Sequence, residues 1–388
     1  MLILLSLPLL VCGSYAQQDP TKNQQTIDTS GFSDSAHHWY DIYDEDKLIN
    51  SLPHRPKYKT NEIEKIADNI LLFQKSNGGW PKNYDMLAIL TKEQKDTIIR
   101  AKDETNTTFD NGTVHSQVEY LAKAFLYTKI QRFKDACLKG IDFMLSAQYP
   151  NGGWPQYYPD TSGYRKYITF NDGAMIGVMK VLQNILKHKL EYSFVDSVGY
   201  LNVNQAFDKG IDCILKCQIK QNGKLTVWGQ QHDNVDLRLQ NARKFEPAAL
   251  CGDESADIVL LLMSLDRPSQ DIINAVQSAV KWLYDSRIFG IRVKTIKAPT
   301  KIYKYSKSSI DRVVVKDPKA PPIWARFYEL GTNRPLFCNR DEITVYSLAE
   351  VDRERRSGYT WYHYETERVF KKYPKWQKKW EPGNSLLK

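Results

Sequence analysis

Ser76-Asn77-Gly78-Gly79-Trp80-Pro81-Lys82-Asn83-Tyr84 recurs as Pro150-Asn151-Gly152-Gly153-Trp154-Pro155-Gln156-Tyr157-Tyr158. Each copy follows a segment with apolar residues at i, i+3, i+4 and i+7, Ile63 to Gln74 and Ala136 to Gln148, the pattern of a helix with one buried face. Each segment ends in a glutamine just before the glycines, so the phrase punctuates a repeat. A third copy runs from Ala206 through Cys217-Gln218 to Asn222-Gly223; it lacks the full Gly-Gly-Trp-Pro and reaches Trp228-Gly229 instead. A fainter fourth runs from Ala279 to Gly290. Gly78, Gly152, Gly223 and Gly290 stand about 70 residues apart, the length of a two-helix unit with long loops.

Between the copies lie His115 to Ile130, Ala174 to Lys187 and Glu254 to Leu265, the last two apolar round much of their circumference, as helices inside a bundle are. Half-exposed helices alternating with buried ones predict an all-α fold: an α/α toroid, or incomplete α/α barrel, with long loops and a few short strands. In such a ring the loops gather at the ends. The recurring phrase is then expected to present Trp80, Trp154 and nearby tyrosines at one rim.

With 388 residues, 42% hydrophobic content and no internal Pro/Gly/Ser-rich linker, the chain can bury one large core. Met1 to Cys12 is apolar but too short to span a bilayer, and Ser14-Tyr15-Ala16 is a small-x-small cleavage pattern. Residues 1–16 therefore read as a secretory signal, for a secreted, periplasmic or cell-surface protein, and Cys12-Gly13-Ser14 raises a lipid anchor. Residues 17–57 read as a polar, irregular extension, and 58–388 as the toroid domain with a basic tail, taken to be monomeric. The lysine- and tyrosine-rich stretch 294–320 reads as a basic insertion, either structural or helping to hold a polyanion. Five cysteines beyond the signal, Cys137, Cys213, Cys217, Cys251 and Cys338, are odd in number and read as buried small hydrophobes.

A net charge of +9 suits a polyanion, whether nucleic acid, an anionic membrane or an acidic polysaccharide. No stacking-and-basic module points to nucleic acid, while 9 Trp and 23 Tyr suit a sugar-binding cleft. Three acidic phrases open the buried helices: Phe109-Asp110-Asn111-Gly112, Phe170-Asn171-Asp172-Gly173 and Cys251-Gly252-Asp253-Glu254. Singly they read as helix caps. Brought to one end of a ring, such carboxylates repel unless a cation lies among them, and a hard oxygen-bound ion such as Ca²⁺ suits them. Arg243-Lys244, Arg326, Arg334 and Arg340 sit among aromatics and prolines, where guanidinium forks suit carboxylate recognition.

Taken in order, the Asn-Gly-Gly-Trp-Pro pair, Thr107-Thr108-Phe109-Asp110-Asn111-Gly112-Thr113, Ile168-Thr169-Phe170-Asn171-Asp172-Gly173-Ala174-Met175, Val227-Trp228-Gly229-Gln230-Gln231-His232-Asp233, Ala242-Arg243-Lys244-Phe245-Glu246-Pro247 and Trp324-Ala325-Arg326-Phe327-Tyr328-Glu329 through Arg340-Asp341 resemble the pectate lyases of polysaccharide lyase family 10. The resemblance implies an (α/α)3 toroid, secretion and Ca²⁺-dependent β-elimination of polygalacturonate (pectin), giving 4,5-unsaturated oligogalacturonides. It also implies site roles: Asp110 and Asp172 as metal ligands, Asn111, Arg326 and Arg340 as substrate binders, and Arg243 as the base that removes the C5 proton. Lys244 and Lys166 are alternative bases. Two other readings stay open: a non-catalytic uronate-binding protein, and an inverting glycoside hydrolase using Asp110, Asp172 or Asp253.

Overall fold

The computed structural model describes residues 25–43, 47–384 and 386–387. The signal segment 1–16 and Cys12 lie outside the described residues. The helices are α1 (Ser33–Asp41), α2 (Ile63–Phe73), α3 (Lys92–Arg100), α4 (His115–Thr128), α5 (Gln131–Ser146), α6 (Ala174–Leu186), α7 (Ser197–Cys217), α8 (Gly252–Met263), α9 (Gln270–Asp285), α10 (Arg353–Gly358) and α11 (Glu367–Trp380). They pack as two layers. In the inner layer α4 touches α6 and α6 touches α8; in the outer layer α2, α5, α7 and α9 touch in succession, and α5, α7 and α9 back α4, α6 and α8.

The repeated phrase stitches one outer helix to the next. The side-chain amide of Gln74 donates to the carbonyls of Gly78 and, in α5, Ala136, both at 2.9 Å. Gln148 does the same to Gly152 and to Ala206 of α7, and Gln218 to Thr226 and to Ala275 of α9. Gly78 and Gly152 share φ +92°, a region disfavoured for L side chains, and a Cβ on either would strike the carbonyl of Lys139 or Lys209. Each indole finds a matching acceptor: Trp80 donates to Ile70 O, Trp154 to Met144 O and Trp228 to Ile214 O. Gly140 and Gly210 on the following outer helices leave room for the Trp80 and Trp154 rings. Trp80 and Trp154 are 0% exposed, so the expectation that they line a rim is wrong. A ring this large gains more from burial, with its N–H bonded, than from solvent.

The all-α expectation is also wrong. Of the described residues, 45% are helix and 15% strand. Leu250–Cys251, Phe327–Tyr328, Pro335–Cys338 and Thr344–Val345 form a four-stranded sheet, and Ile291–Ile302 pairs antiparallel with Lys307–Lys316 in a long hairpin. That hairpin is the stretch read as an insertion. Alternating Ile291, Val293 and Thr295 and the run Val313-Val314-Val315 favour strand. The sheet strands are two to four residues long and come from separate loops, too short to leave a periodic trace.

Residues 25–43 are not irregular either. Phe32 and Trp39 are buried, Phe32 lies 5.6 Å from the Tyr120 ring, and Ser35 Oγ donates to Tyr84 O. The basic tail folds as α11, whose Val369, Tyr373 and Trp376 pack on α8 and α9. The five cysteines are free and buried, as the sequence suggested.

Candidate functional site

Two 3₁₀ turns, Asp110–Gly112 and Asn171–Gly173, precede α4 and α6 and pack against each other. Nearly identical sequences give the same backbone, with Asn111 at φ 53° and Asp172 at φ 49°, a left-handed conformation that Asn and Asp tolerate better than other side chains. None of the three acidic phrases caps its helix: α4, α6 and α8 begin after Val114, Gly173 and Cys251, with no side-chain cap bond. The capping reading fails for the Asp110 and Asp172 turns, while Asp253 and Glu254 stand in the first turn of α8 without capping it.

Their partners come from the repeat. The residue two places after each tryptophan, Lys82, Gln156 or Gln230, points to an acidic turn. Lys82 Nζ is 3.2 Å from Asp110 Oδ2, and Gln156 Nε2 donates to Asp110 Oδ1 at 2.9 Å. Gln230 Nε2 donates to Asn171 Oδ1 at 3.0 Å and to Glu254 Oε1 at 2.8 Å. Asn111 is fixed by Nδ2 donating to Asn83 Oδ1 at 3.0 Å. Burial works to raise the Asp110 carboxyl, but Lys82, Arg243 and the Gln156 bond outweigh it and hold it below its ordinary value. Asp172 is pushed up to about 8, by burial first and then by the Asp110 charge, against the pull of Arg326 and Arg243. One carboxylate is thus ionised while its neighbour keeps a proton near neutrality, and an added cation would release that proton.

The arginines stand on the other side. Arg243 is gripped bidentately by buried Glu246, whose charge holds the guanidinium well above its ordinary range although burial works to lower it. Tyr359 Oη also donates to Glu246 Oε1, at 3.1 Å. Arg243, Arg340 and Arg355 all lie over the Phe245 ring, at 4.9, 5.0 and 4.7 Å from its centroid. Glu354 accepts from both Arg340 and Arg355. Arg326 is 7% exposed. Its Nη2 donates to Glu254 and Asn171 and lies 3.7 Å from Asp172, its face rests on Tyr359, and its buried Nε has no hydrogen-bond partner among the described residues. Lys244 turns away to Glu342, Lys166 lies over the Tyr167 ring, and Asp253 faces buried His363 at 3.6 Å.

Sequence reasoning missed Lys82, Gln156, Gln230, Glu246, Glu354 and Arg355. The first three were visible as one repeat position read three times. Arg355 sits in a charge run that reads as a solvated helix, and only burial distinguishes it.

The profile of the family described as pectic acid lyase matches residues 74–370, from the glutamine that ends the first repeat helix into α11. The chain belongs to the pectic acid lyase family. This lyase is similar in structure to the family 10 polysaccharide lyase from Cellvibrio cellulosa, with a TM-score of 0.70 and 28% identity, covering 84% of this chain and 98% of that one. An aspartate-to-alanine mutant of the Cellvibrio cellulosa enzyme in complex with trigalacturonic acid matches with the same TM-score and identity over 81% of this chain and 96% of that one. No curated protein matches significantly. In this pectic acid lyase the matched stretch contains both acidic turns and all the arginines just described.

Proposed function

We propose that this enzyme cleaves polygalacturonate by Ca²⁺-dependent β-elimination. The observation that carries the reading is the pair of packed acidic turns bearing Asp110 and Asp172, which face Arg243 and Arg326, in a pectic acid lyase. Family 10 relatives include one complexed with trigalacturonic acid, a substrate fragment of that class.

The donor set fits a hard divalent cation: two carboxylates and the Asn111 amide supply oxygens, and a cation there would offset the burial and the Asp110 charge that push the Asp172 carboxyl up. Among the described residues no three His, Cys, Asp or Glu side chains form a complete cage, so carboxylates of the substrate would finish the coordination. Bound there, calcium would neutralise a uronate carboxylate and acidify the C5–H next to it.

The protein's own groups divide the rest. Arg326, with its Nε unpartnered, and Arg340, held on Phe245, bind galacturonate carboxylates and offset the negative charge that grows when C5–H is broken. In its neutral form Arg243 takes the C5 proton, the C5 electron pair forms the C4–C5 double bond, and the C4 oxygen leaves with its bonding pair and is protonated by water. Glu246 opposes this role in the free protein by favouring charged Arg243, so turnover should be fastest at alkaline pH, where guanidinium deprotonation is least unfavourable. Secretion, with residues 1–16 as signal, fits an extracellular polymer as substrate.

The split between Asp110 and Asp172 also suits an inverting hydrolase, whose acid keeps a proton while its base does not. Mass spectrometry of the products decides between them. Elimination yields fragments lighter by one water and carrying a double bond, and fails in chelator; hydrolysis yields saturated fragments and survives chelation.

A further inference from the structure

Two segments that the chemistry leaves unused meet beside the site. The first is residues 25–43, on the carboxylate side. There α1 touches the Asp110 turn, and the Gly31 carbonyl is so close that a Cβ on Gly112 would lie 2.7 Å from it. Ser116 Oγ, in the first turn of α4, donates to the same carbonyl at 3.1 Å. Buried Trp39 holds the later part of α1 by donating its indole N–H to Ile49 O at 2.8 Å.

The second is the long hairpin of residues 291–316, on the arginine side. α10 grips its outer half: the Arg353 guanidinium donates to Pro299 O and Ile310 O at 2.8 and 3.1 Å, and Arg356 holds Asp311 with two bonds of 2.8 Å. The tip so held reaches a proposed substrate binder. The Arg340 guanidinium lies 4.7 Å from the Tyr305 ring centroid and 5.0 Å from that of Phe245.

The two segments join. Ile42, just past α1, pairs antiparallel with Ser306, and the Tyr43 N–H donates to Tyr305 O at 2.7 Å. Contacts therefore close a circuit around the site. One arm runs from the Asp110 turn through α1, Tyr43 and Tyr305 to Arg340. The other runs from the adjoining Asp172 turn through Arg326, Tyr359 and Phe245 to the same Arg340. A polymer cannot be laid sideways across a closed circuit. It enters by its end.

We infer that this join makes the enzyme act from chain ends, with Ile42, Tyr43, Tyr305 and Ser306 as the residues that set that specificity. Ile42 and Tyr43 precede residue 74, where the family match begins, so half of the join comes from outside the matched stretch. The inference rests on the polygalacturonate reading above and adds to it where along the polymer the enzyme cuts.

The test incubates the full protein with long polygalacturonate and reads viscosity and new reducing ends in one reaction. Elimination and hydrolysis each free one reducing end per bond cut, so the position of attack is read whichever chemistry operates; absorbance of unsaturated ends reports separately on elimination. Wild type releases short products while viscosity stays high. Replacing residues 302–307 by Asn-Gly, a two-residue turn that keeps Lys301 opposite Ser308, removes the tip. Viscosity then falls several-fold more per bond cut, a ratio that a change in overall rate does not affect. Ile42→Cys with Ser306→Cys locks the join, since directly opposed antiparallel residues suit a disulfide. The oxidised form keeps the wild-type ratio and rate. A wild-type viscosity that collapses while few ends have formed overturns the inference, as does an unchanged ratio in the shortened hairpin. A locked form that is inactive until reduced also overturns it, because the join would then have to open for substrate. Should the shortened hairpin fail to fold, wild type and the lock still decide. If no bond is cut, calorimetry with the polymer takes over: one protein per chain end supports the inference, and binding all along the chain overturns it.

Discussion

Glu246 grips Arg243 with both carboxylate oxygens, Nε to Oε2 at 2.8 Å and Nη2 to Oε1 at 2.5 Å, and also accepts the Arg243 backbone N–H at 3.1 Å. The pair fixes the proposed base in space while stabilising its charged form. Replacing Glu246 by Gln keeps a hydrogen-bonding side chain of the same shape and removes the charge. The acid limb of the kcat/KM profile should then move to lower pH by about one unit or more. An unmoved profile means that Arg243 binds without exchanging a proton.

Asp172 titrates above its ordinary value of 3.8, at about 8 in the folded chain. Folding therefore favours its neutral form: that contribution is whole below the ordinary value and is lost as pH rises through about 8. In chelator at about pH 9, Asp172→Asn should melt higher than wild type, by about 2 °C, the size of about 1 kcal/mol in a large domain. Calcium should raise the melting temperature of wild type and leave the variant unchanged. A variant that still responds to calcium would remove Asp172 from the metal site.

Gln218 is buried and donates to Thr226 O and Ala275 O at 2.8 and 3.0 Å. Gln218→Ala strips two buried carbonyls of their donor, at a cost of about 2–3 kcal/mol in denaturant unfolding. Gln74→Ala and Gln148→Ala should cost similar amounts, because they make the same stitch. A change under about 0.5 kcal/mol would show that helix packing alone holds the layers.

Phe245 carries three guanidinium groups on one ring. Phe245→Leu retains apolar bulk but removes the π face. KM for polygalacturonate should rise about tenfold, with a smaller fall in kcat, as binding contacts loosen together. An effect on thermal stability alone would make the ring a core residue only.

The helices were legible because α2, α5, α7 and α9 keep a helical apolar period over long segments, the first three closed by Gln and Gly and the last by Gly alone. Asp110, Asp172 and Arg243 were legible as dense polar phrases at helix starts and in loops. What the sequence concealed was which member of a phrase faces the site. Trp80 and Trp154 drew attention, yet they anchor the core while Lys82 and Gln156 two places on reach the carboxylates. The buried Glu246 and Arg355 are chemically indistinguishable, as letters, from solvated neighbours such as Lys244, which is 71% exposed. Short strands joining distant loops, such as Leu250–Cys251 with Phe327–Tyr328, are fixed by tertiary pairing and carry no local period.

The most direct measurement is ultraviolet absorbance of polygalacturonate incubated with the protein at alkaline pH, with calcium or with chelator, for wild type and Arg243→Ala. The account predicts a steady rise for wild type in calcium, none in chelator, and a rate for Arg243→Ala lower by about a thousandfold. No rise for wild type in calcium would contradict elimination, and a rise undiminished in Arg243→Ala would contradict its role as the base.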